Sequence, residues 1–167
     1  MYCVGDKVVH PMHGAGVIKD VKEIELGGVK RNYYVVCFAV GNMVSDVPVD
    51  GCDKIGIRNV ITKAEAKKVL EYFHNREVGS DINWNKRQRE NIIKLKSGDL
   101  YQVAGVLKEL MCRERRKGLS TSERKTLCSA KQIVLSELIL SGIADEGDIQ
   151  LILDDTVAEI VNEQNND

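Results

Sequence analysis

The spacing of the apolar residues changes once along the chain, near Thr62, and this change limits the folds that the chain can adopt. Residues 6–58 contain short runs rich in Val, Ile, Tyr and Phe, separated by glycine turns, which is typical of strands. After Thr62 the apolar residues recur every three or four positions, which indicates amphipathic helices. The predicted fold class is α+β: an N-terminal Tudor-like or SH3-like small β-barrel followed by a C-terminal all-helical bundle of about five helices. The predicted domains are residues 1–58 and 59–167.

Five short strands are expected in the N-terminal domain. The glycine pair at 27–28 predicts a hairpin, and a change of apolar phase between Val21 and Ile24 predicts a bulge before it. Residues 55–57 are expected to close the barrel. A short edge strand is a template to which the strand of a partner can add. The alternative is a barrel that only supports the helices.

Capping residues divide the second half into helices. Starts are predicted at N-cap or capping-box residues, namely Thr62, Asp99, Ser120 and Asp145. Stops are predicted at Gly118 and Gly142. A further helix is expected to begin near Trp84 and to end at residues 97–98, after a loop at 74–82.

The stretch from Asn83 to Asn91 holds the single tryptophan of the chain, Trp84, followed closely by three cations, Lys86, Arg87 and Arg89. An aromatic ring beside cations at a helix start can press against a base step while the cations hold phosphates. Trp84 is also in phase with Gln88, Ile92 and Leu95, so an ordinary core tryptophan is the alternative.

The net charge of −1 conceals a strong segregation of charge. Residues 76–131 carry 14 Lys and Arg against 7 Asp and Glu, whereas residues 132–167 carry 9 acidic residues and no Lys or Arg. A basic middle next to an acidic end predicts a polyanion-binding region beside another function. The alternative is that the basic helix faces are simply solvated.

The sequence argues against an enzyme, a metal site or a cofactor. Its five cysteines are scattered without a Cys-x-x-Cys pair, His10 and His13 lack partners at metal spacing, and no phosphate-binding glycine loop occurs. Cys37 and Cys128 are predicted to be small core residues, with a thiol enzyme as a remote alternative. No apolar run has the length of a membrane span, and the N-terminus lacks a signal-peptide pattern, so a cytoplasmic location is expected.

The chain resembles the bacterial CarD/CdnL proteins along its whole length. The residues that carry the resemblance begin with Val4-Gly5-Asp6-Lys7-Val8-Val9-His10-Pro11-Met12-His13-Gly14-Ala15-Gly16. They continue with Val47-Pro48, Ile55-Gly56-Ile57-Arg58, Asn83-Trp84-Asn85-Lys86-Arg87, Ser97-Gly98-Asp99 and Gly118-Leu119-Ser120-x-x-Glu123-Arg124-Lys125. The order of these motifs along the chain makes the match more specific than any one of them.

This resemblance implies an N-terminal module that binds the β subunit of bacterial RNA polymerase in an edge-strand mode. The implied polymerase-binding residues are Ile24, Met43, Val44, Ser45, Asp46, Val47 and Pro48. Some relatives have arginines at the positions of Ile24 and Asp46, so the charge complementarity of this surface differs here. Lys22, Lys30 or Arg31 could supply the missing positive charge.

The resemblance also implies that the helical domain touches promoter DNA at the upstream edge of the melted bubble, with Trp84 wedged into the minor groove. The implied DNA-binding residues are Trp84, Asn85, Lys86, Arg87, Arg89, Arg124 and Lys125.

The hypothesis from the sequence is a non-catalytic, monomeric transcription regulator that binds the polymerase and stabilises the open promoter complex without reading base sequence. The alternatives are a nucleic-acid architectural protein or a protein-interaction adaptor, each independent of the polymerase.

Overall fold

The computed structural model describes residues 1–79 and 83–166. The N-terminal part contains five strands, β1 (Lys7–His10), β2 (Gly14–Leu26), β3 (Val29–Phe38), β4 (Val44–Pro48) and β5 (Arg58–Asn59), with a short helix α1 (Cys52–Ile55) before β5. Five longer helices follow in the described residues, α2 (Lys63–Asn75), α3 (Trp84–Lys96), α4 (Leu100–Arg116), α5 (Thr121–Ser141) and α6 (Glu146–Gln164). The predicted α+β class and the helical second half are confirmed. Of the predicted loop at 74–82, residues 80–82 lie outside the described part.

All neighbouring strands are antiparallel, in the order β4-β3-β2-β1-β5. The predicted closing strand at 55–57 is wrong. Gly51 and Gly56 have φ angles of 100° and 89° and bracket the turn of helix α1, so Ile55 is helical and the strand begins only at Arg58. Strand β5 pairs with β1, and β4 forms the opposite edge of the sheet.

The bulge in β2 lies earlier than predicted. Ile18 pairs with Val36 and Asp20 pairs with Val35, so Lys19 is the extra residue in the ladder. Ile18 is the last buried residue of β2, and beyond the bulge the residues of β2 are exposed except for the half-buried Ile24. The change of apolar phase between Val21 and Ile24 therefore lies beyond the last buried residue of the strand. For this reason it predicted the wrong position for the bulge.

The capping patterns are confirmed. Thr62 and Ser120 form complete capping boxes with Glu65 and Glu123, in which each side chain bonds the other residue's backbone N–H. The side chains of Asp99 and Asp145 accept N–H bonds at the starts of α4 and α6.

The helices bury an aliphatic core to which α2, α3, α4, α5 and α6 all contribute, including Phe73, Leu107 and Leu138. A second, smaller core lies under the sheet around Ile18 and Phe38. The prediction that Cys128 is a core residue is wrong, because it is exposed one position away from the buried Leu127 on α5. Cys37 is half-buried.

Helix α5 joins the sheet to the bundle. The Ser136 hydroxyl accepts the N–H of Ala15 at 2.8 Å, and Gln132 Nε2 donates to the carbonyl of His13 at 3.1 Å. Gly14 lies at this junction with a φ of +86°, and a Cβ there would come within 2.3 Å of Ser136 Oγ. A side chain at position 14 would therefore force the sheet and α5 apart.

A buried ion pair reinforces this junction. The carboxylate of Glu137, which is fully buried, accepts both Nη1 and Nη2 of Arg58 at 2.5 and 2.9 Å. Its Oε1 also accepts the N–H of Ile61 at 3.2 Å. Strand β5, at one edge of the sheet, is thus fixed to the C-terminal part of α5 by charge-assisted hydrogen bonds.

Candidate nucleic-acid interface

Trp84 is the first residue of α3, and its indole is 43% exposed. The side chain of Asn83 accepts the N–H of Asn85 at 3.0 Å and so fixes the start of the helix. Trp84 lies on the same side of the helix as the buried Leu95, but three turns earlier, at the N-terminal end of α3. The core interpretation of Trp84 therefore fails, since the ring is not enclosed by the bundle.

Two of the three neighbouring cations face solvent with the indole. Lys86 has a side chain that is 68% exposed, at 4.0 Å from the carboxylate of Glu90, and Arg89 is also exposed. Asn85 lies between Trp84 and Lys86 and is exposed as well. The first two turns of α3 therefore present a flat apolar ring together with hydrogen-bond donors and positive charge.

Arg87 does not belong to this exposed group. Its side chain is only 12% exposed, and its Nη2 donates to Glu123 Oε1 at 2.8 Å. Arg113 Nε of helix α4 lies 3.5 Å from the same carboxylate oxygen. In this structure the Arg87 side chain faces the bundle, and its contact with a phosphate stays a prediction.

Glu123 brings a second basic turn beside the first. Its carboxylate, 3% exposed, also accepts the N–H of Ser120 at 3.0 Å at the start of α5. Burial opposes its ionisation, but the hydrogen bonds from Arg87 and Ser120 prevail and lower the pKa of Glu123. The next two residues, Arg124 and Lys125, are exposed on the first turn of α5.

A neutral hydrogen bond runs parallel to this ion pair. Gln88 Nε2 on α3 donates to Thr126 Oγ1 on α5 at 3.2 Å, one residue after Arg87 and three residues after Glu123. The turn with Trp84 and the turn with Arg124 are therefore connected at two points. Sequence reasoning missed both links, because it assigned Glu123 only to a helix cap and Gln88 only to the apolar side of α3.

The acidic end of the chain neutralises part of the basic middle. Arg115 Nη2 lies 3.8 Å from Asp154 Oδ1, and Arg116 donates a hydrogen bond to Gln164. Both contacts join the last turn of α4 to α6. This part of the basic cluster therefore has a structural role, and the exposed cations of α3 and of the first turn of α5 remain as the candidate interface.

The other candidate surface is the outer edge of β4. The N–H of Phe38 donates to the carbonyl of Met43, and the N–H of Val49 donates to that of Asn32. Because bonding residues alternate along an antiparallel strand, the N–H groups of Val44 and Asp46 point away from β3. Within the described residues no strand occupies that side of β4.

The side chains predicted to bind the polymerase divide between the two faces of the sheet. Val47 is buried in the core beneath the sheet, whereas Val44 and Asp46 are exposed on the opposite, outer face. On that face Asp46 Oδ2 lies 2.7 Å from Lys22 Nζ, and Ile24 pairs directly with Arg31 on β3. The remaining members of the predicted set, Met43, Ser45 and Pro48, are half-buried.

Within residues 1–79 and 83–166, no group of three or more His, Cys, Asp or Glu side chains is placed to hold a metal ion. His10 and His13 stack with ring centroids 4.5 Å apart, and burial together with the neighbouring His13 lowers the pKa of His10. Among the described helices, none has both the length and the apolar character needed to cross a membrane.

Comparison with known proteins matches both halves of the chain. The CarD C-terminal domain matches residues 68–154, and the CarD-like/TRCF RID domain matches residues 2–61. The chain belongs to the CarD family. It is similar to YdeB of Bacillus subtilis (strain 168), which is described as a candidate transcription factor, with 33% identity over 147 residues, 87% of this chain and 96% of that protein.

The two candidate surfaces of this CarD-family chain fall in different matched regions. The edge of β4 lies in the region matched by the RID domain, and helix α3 lies in the region matched by the CarD C-terminal domain. Helix α5 contacts both parts, through Glu137 at the sheet and Glu123 at α3.

Proposed function

We propose that this CarD-family chain is a non-catalytic transcription regulator that binds the β subunit of RNA polymerase and stabilises the open promoter complex. The observation that carries the proposal is the half-exposed Trp84 at a helix start, with Lys86 and Arg89 exposed within the next five residues. Tryptophan combines a large apolar ring with a polar N–H and is enriched at interfaces.

The indole acts as a wedge at the upstream edge of the melted region. Proteins that bind the minor groove insert apolar side chains between base steps, and unstacking costs a few kcal/mol per step. Lys86, Arg89, Arg124 and Lys125 supply cations for the flanking phosphates. These contacts read no base identity, so the response of a promoter follows the stability of its bubble rather than a recognition sequence.

The sheet acts as the tether. The outward N–H groups of Val44 and Asp46 offer a short template for a strand of the β subunit. Arg31, exposed directly opposite Ile24, is placed to supply the positive charge that some relatives carry at the position of Ile24. Tethering makes the DNA contact intramolecular, with effective concentrations of about millimolar, so a weak DNA contact suffices.

The direct test is the lifetime of open complexes formed by purified polymerase on one promoter, with and without this protein. We expect the protein to lengthen the lifetime, because it binds the open state in preference to the closed state. An unchanged lifetime, at protein concentrations that saturate the polymerase, would contradict the proposal.

The tether is tested by placing proline on the edge of β4. Val44→Pro removes an N–H that faces away from β3, so the sheet is expected to keep its ladder while strand addition is blocked. We expect the affinity for the purified β subunit to fall at least about tenfold, since a main-chain bond is lost and the ring obstructs the partner strand.

The matched control for this substitution is Val44→Ala, which removes the same exposed side chain but keeps the N–H. It is expected to retain most of the affinity for the β subunit, and both variants should bind free DNA like the unmodified protein. Equal losses for alanine and proline would point to a side-chain contact and exclude strand addition at this edge.

A further inference from the structure

We infer that Glu123 is a positioning residue, which holds the Trp84 turn of α3 and the Arg124 turn of α5 as one preformed DNA-binding surface. Arg87 contributes to DNA binding through Glu123 and makes no phosphate contact of its own. This inference rests on the proposed function, because it concerns how the same surface is assembled.

The geometry at the Glu123 carboxylate links the two turns. Arg87 of α3 and Arg113 of α4 form ion pairs with this carboxylate. The N–H of Ser120, at the start of α5, donates a hydrogen bond to it. Three helices thus meet at a group whose side chain is 3% exposed. For Arg87 to reach a phosphate it would have to leave this carboxylate, and losing one partner of a buried pair is strongly unfavourable.

The negative charge of Glu123 also indicates a structural role. A carboxylate beneath a surface that carries Lys86, Arg89, Arg124 and Lys125 lowers the positive potential offered to DNA. On electrostatic grounds alone, the site would bind DNA better without Glu123. Its burial at the meeting point of the helices fits a role in holding the two basic turns in register.

The link between Arg87 and Glu123 lies close in sequence to both Trp84 and Arg124. Arg87 lies three residues after Trp84, and Glu123 directly precedes Arg124. A shift at this pair is therefore passed to the indole and to the second basic turn within one helical turn. The parallel bond from Gln88 to Thr126 supports the same alignment.

The test measures binding of the full-length protein to one duplex as a function of salt concentration, for Lys86→Ala, Arg87→Met, Glu123→Gln and the Arg87→Met/Glu123→Gln pair. Glutamine is a suitable replacement because it also satisfies the N3 position of a capping box. All titrations are run well below the melting temperature of each variant.

Lys86→Ala removes an exposed cation. We expect the slope of log affinity against log salt concentration to fall by about one unit, the value of one phosphate contact. For Arg87→Met and Glu123→Gln we expect an unchanged slope and an affinity about tenfold lower, because the surface is no longer preorganised. The double variant is expected to lose no more than either single one, because both break the same ion pair.

Fluorescence gives a second readout, because Trp84 is the only tryptophan in the chain. Acrylamide quenching of the free protein is expected to change in Arg87→Met and Glu123→Gln and to stay the same in Lys86→Ala. Arg87→Lys, which retains the charge, is expected to restore part of the affinity.

Two other patterns would overturn the inference. If Arg87→Met lowers the salt slope by about one and Glu123→Gln strengthens binding, then Arg87 touches phosphate directly and Glu123 only competes with it. If both variants bind DNA like the unmodified protein, the link has no positioning role. Failure of the proposed interface itself is distinguishable, because then Lys86→Ala would also leave the slope unchanged.

Discussion

Trp84→Ala is expected to shorten the lifetime of the open promoter complex by about tenfold relative to the unmodified protein, while the affinity for the β subunit stays the same. Stacking of an aromatic side chain on a base contributes about 1–3 kcal/mol, and about 1.4 kcal/mol corresponds to a factor of ten. The measurement is the decay of heparin-resistant complexes on a single promoter, with the regulator present at saturating concentration.

The stability of the Trp84→Ala protein provides the check on this interpretation. Because the indole is 43% exposed and sits on the first turn of α3, the free energy of unfolding should fall by less than about 2 kcal/mol. Ile93→Ala is a matched control, since Ile93 is 69% exposed on the same helix and lies outside the predicted contact set. A Trp84→Ala protein that unfolds at ordinary temperature would mean that the indole supports the core.

Glu137→Ala is expected to lower the free energy of unfolding by about 3 kcal/mol, near the lower end of the range for breaking a buried ion pair. The substitution strands the guanidinium of Arg58 and the N–H of Ile61 at the junction between the sheet and α5. The lower end applies because the Arg58 side chain is 35% exposed and water can hydrate part of it. Urea denaturation followed by circular dichroism measures the change.

A surface ion pair of the same protein serves as the comparison. Lys22 and Asp46 lie 2.7 Å apart with side chains 45% and 38% exposed, so Lys22→Ala should cost less than about 1 kcal/mol. If Glu137→Ala costs no more than Lys22→Ala, the buried pair does not hold the junction together.

The helical half could be predicted in detail because its signals are local. The residues at Thr62, Asp99, Ser120 and Asp145 cap their helices through bonds to backbone groups two or three positions away. Such bonds depend on side-chain type and spacing, both of which the sequence displays. The glycines that end helices, Gly118 and Gly142, are likewise recognised from their own positions in the sequence.

Features that depend on distant residues could not be predicted. Neither the periodicity nor the charge pattern predicts the ion pair of Glu137, because its partner Arg58 lies 79 positions earlier in the chain. Lys108 is fully buried and donates to the carbonyls of His74 and Arg76 at the end of α2, although lysine in a helix is usually exposed.

The same limit applies within the candidate site. Sequence and resemblance predicted Arg87 to bind DNA together with Lys86 and Arg89, because the three lie close together in the sequence. Adjacent residues on a helix point about 100° apart, so one of three neighbours commonly faces inward. Only the packing of α3 against α5 decides that Arg87 is the residue that meets Glu123.

Helix α5 fixes a distance as well as an orientation. Glu123 and Glu137 are fourteen positions apart, which at 1.5 Å per residue gives about 21 Å along the helix axis. This length equals about six base-pair steps of 3.4 Å. Under the proposed function, such a rigid rod would hold the DNA-contacting turns at one offset from the tethered sheet, so the polymerase rather than the promoter would set the place of contact.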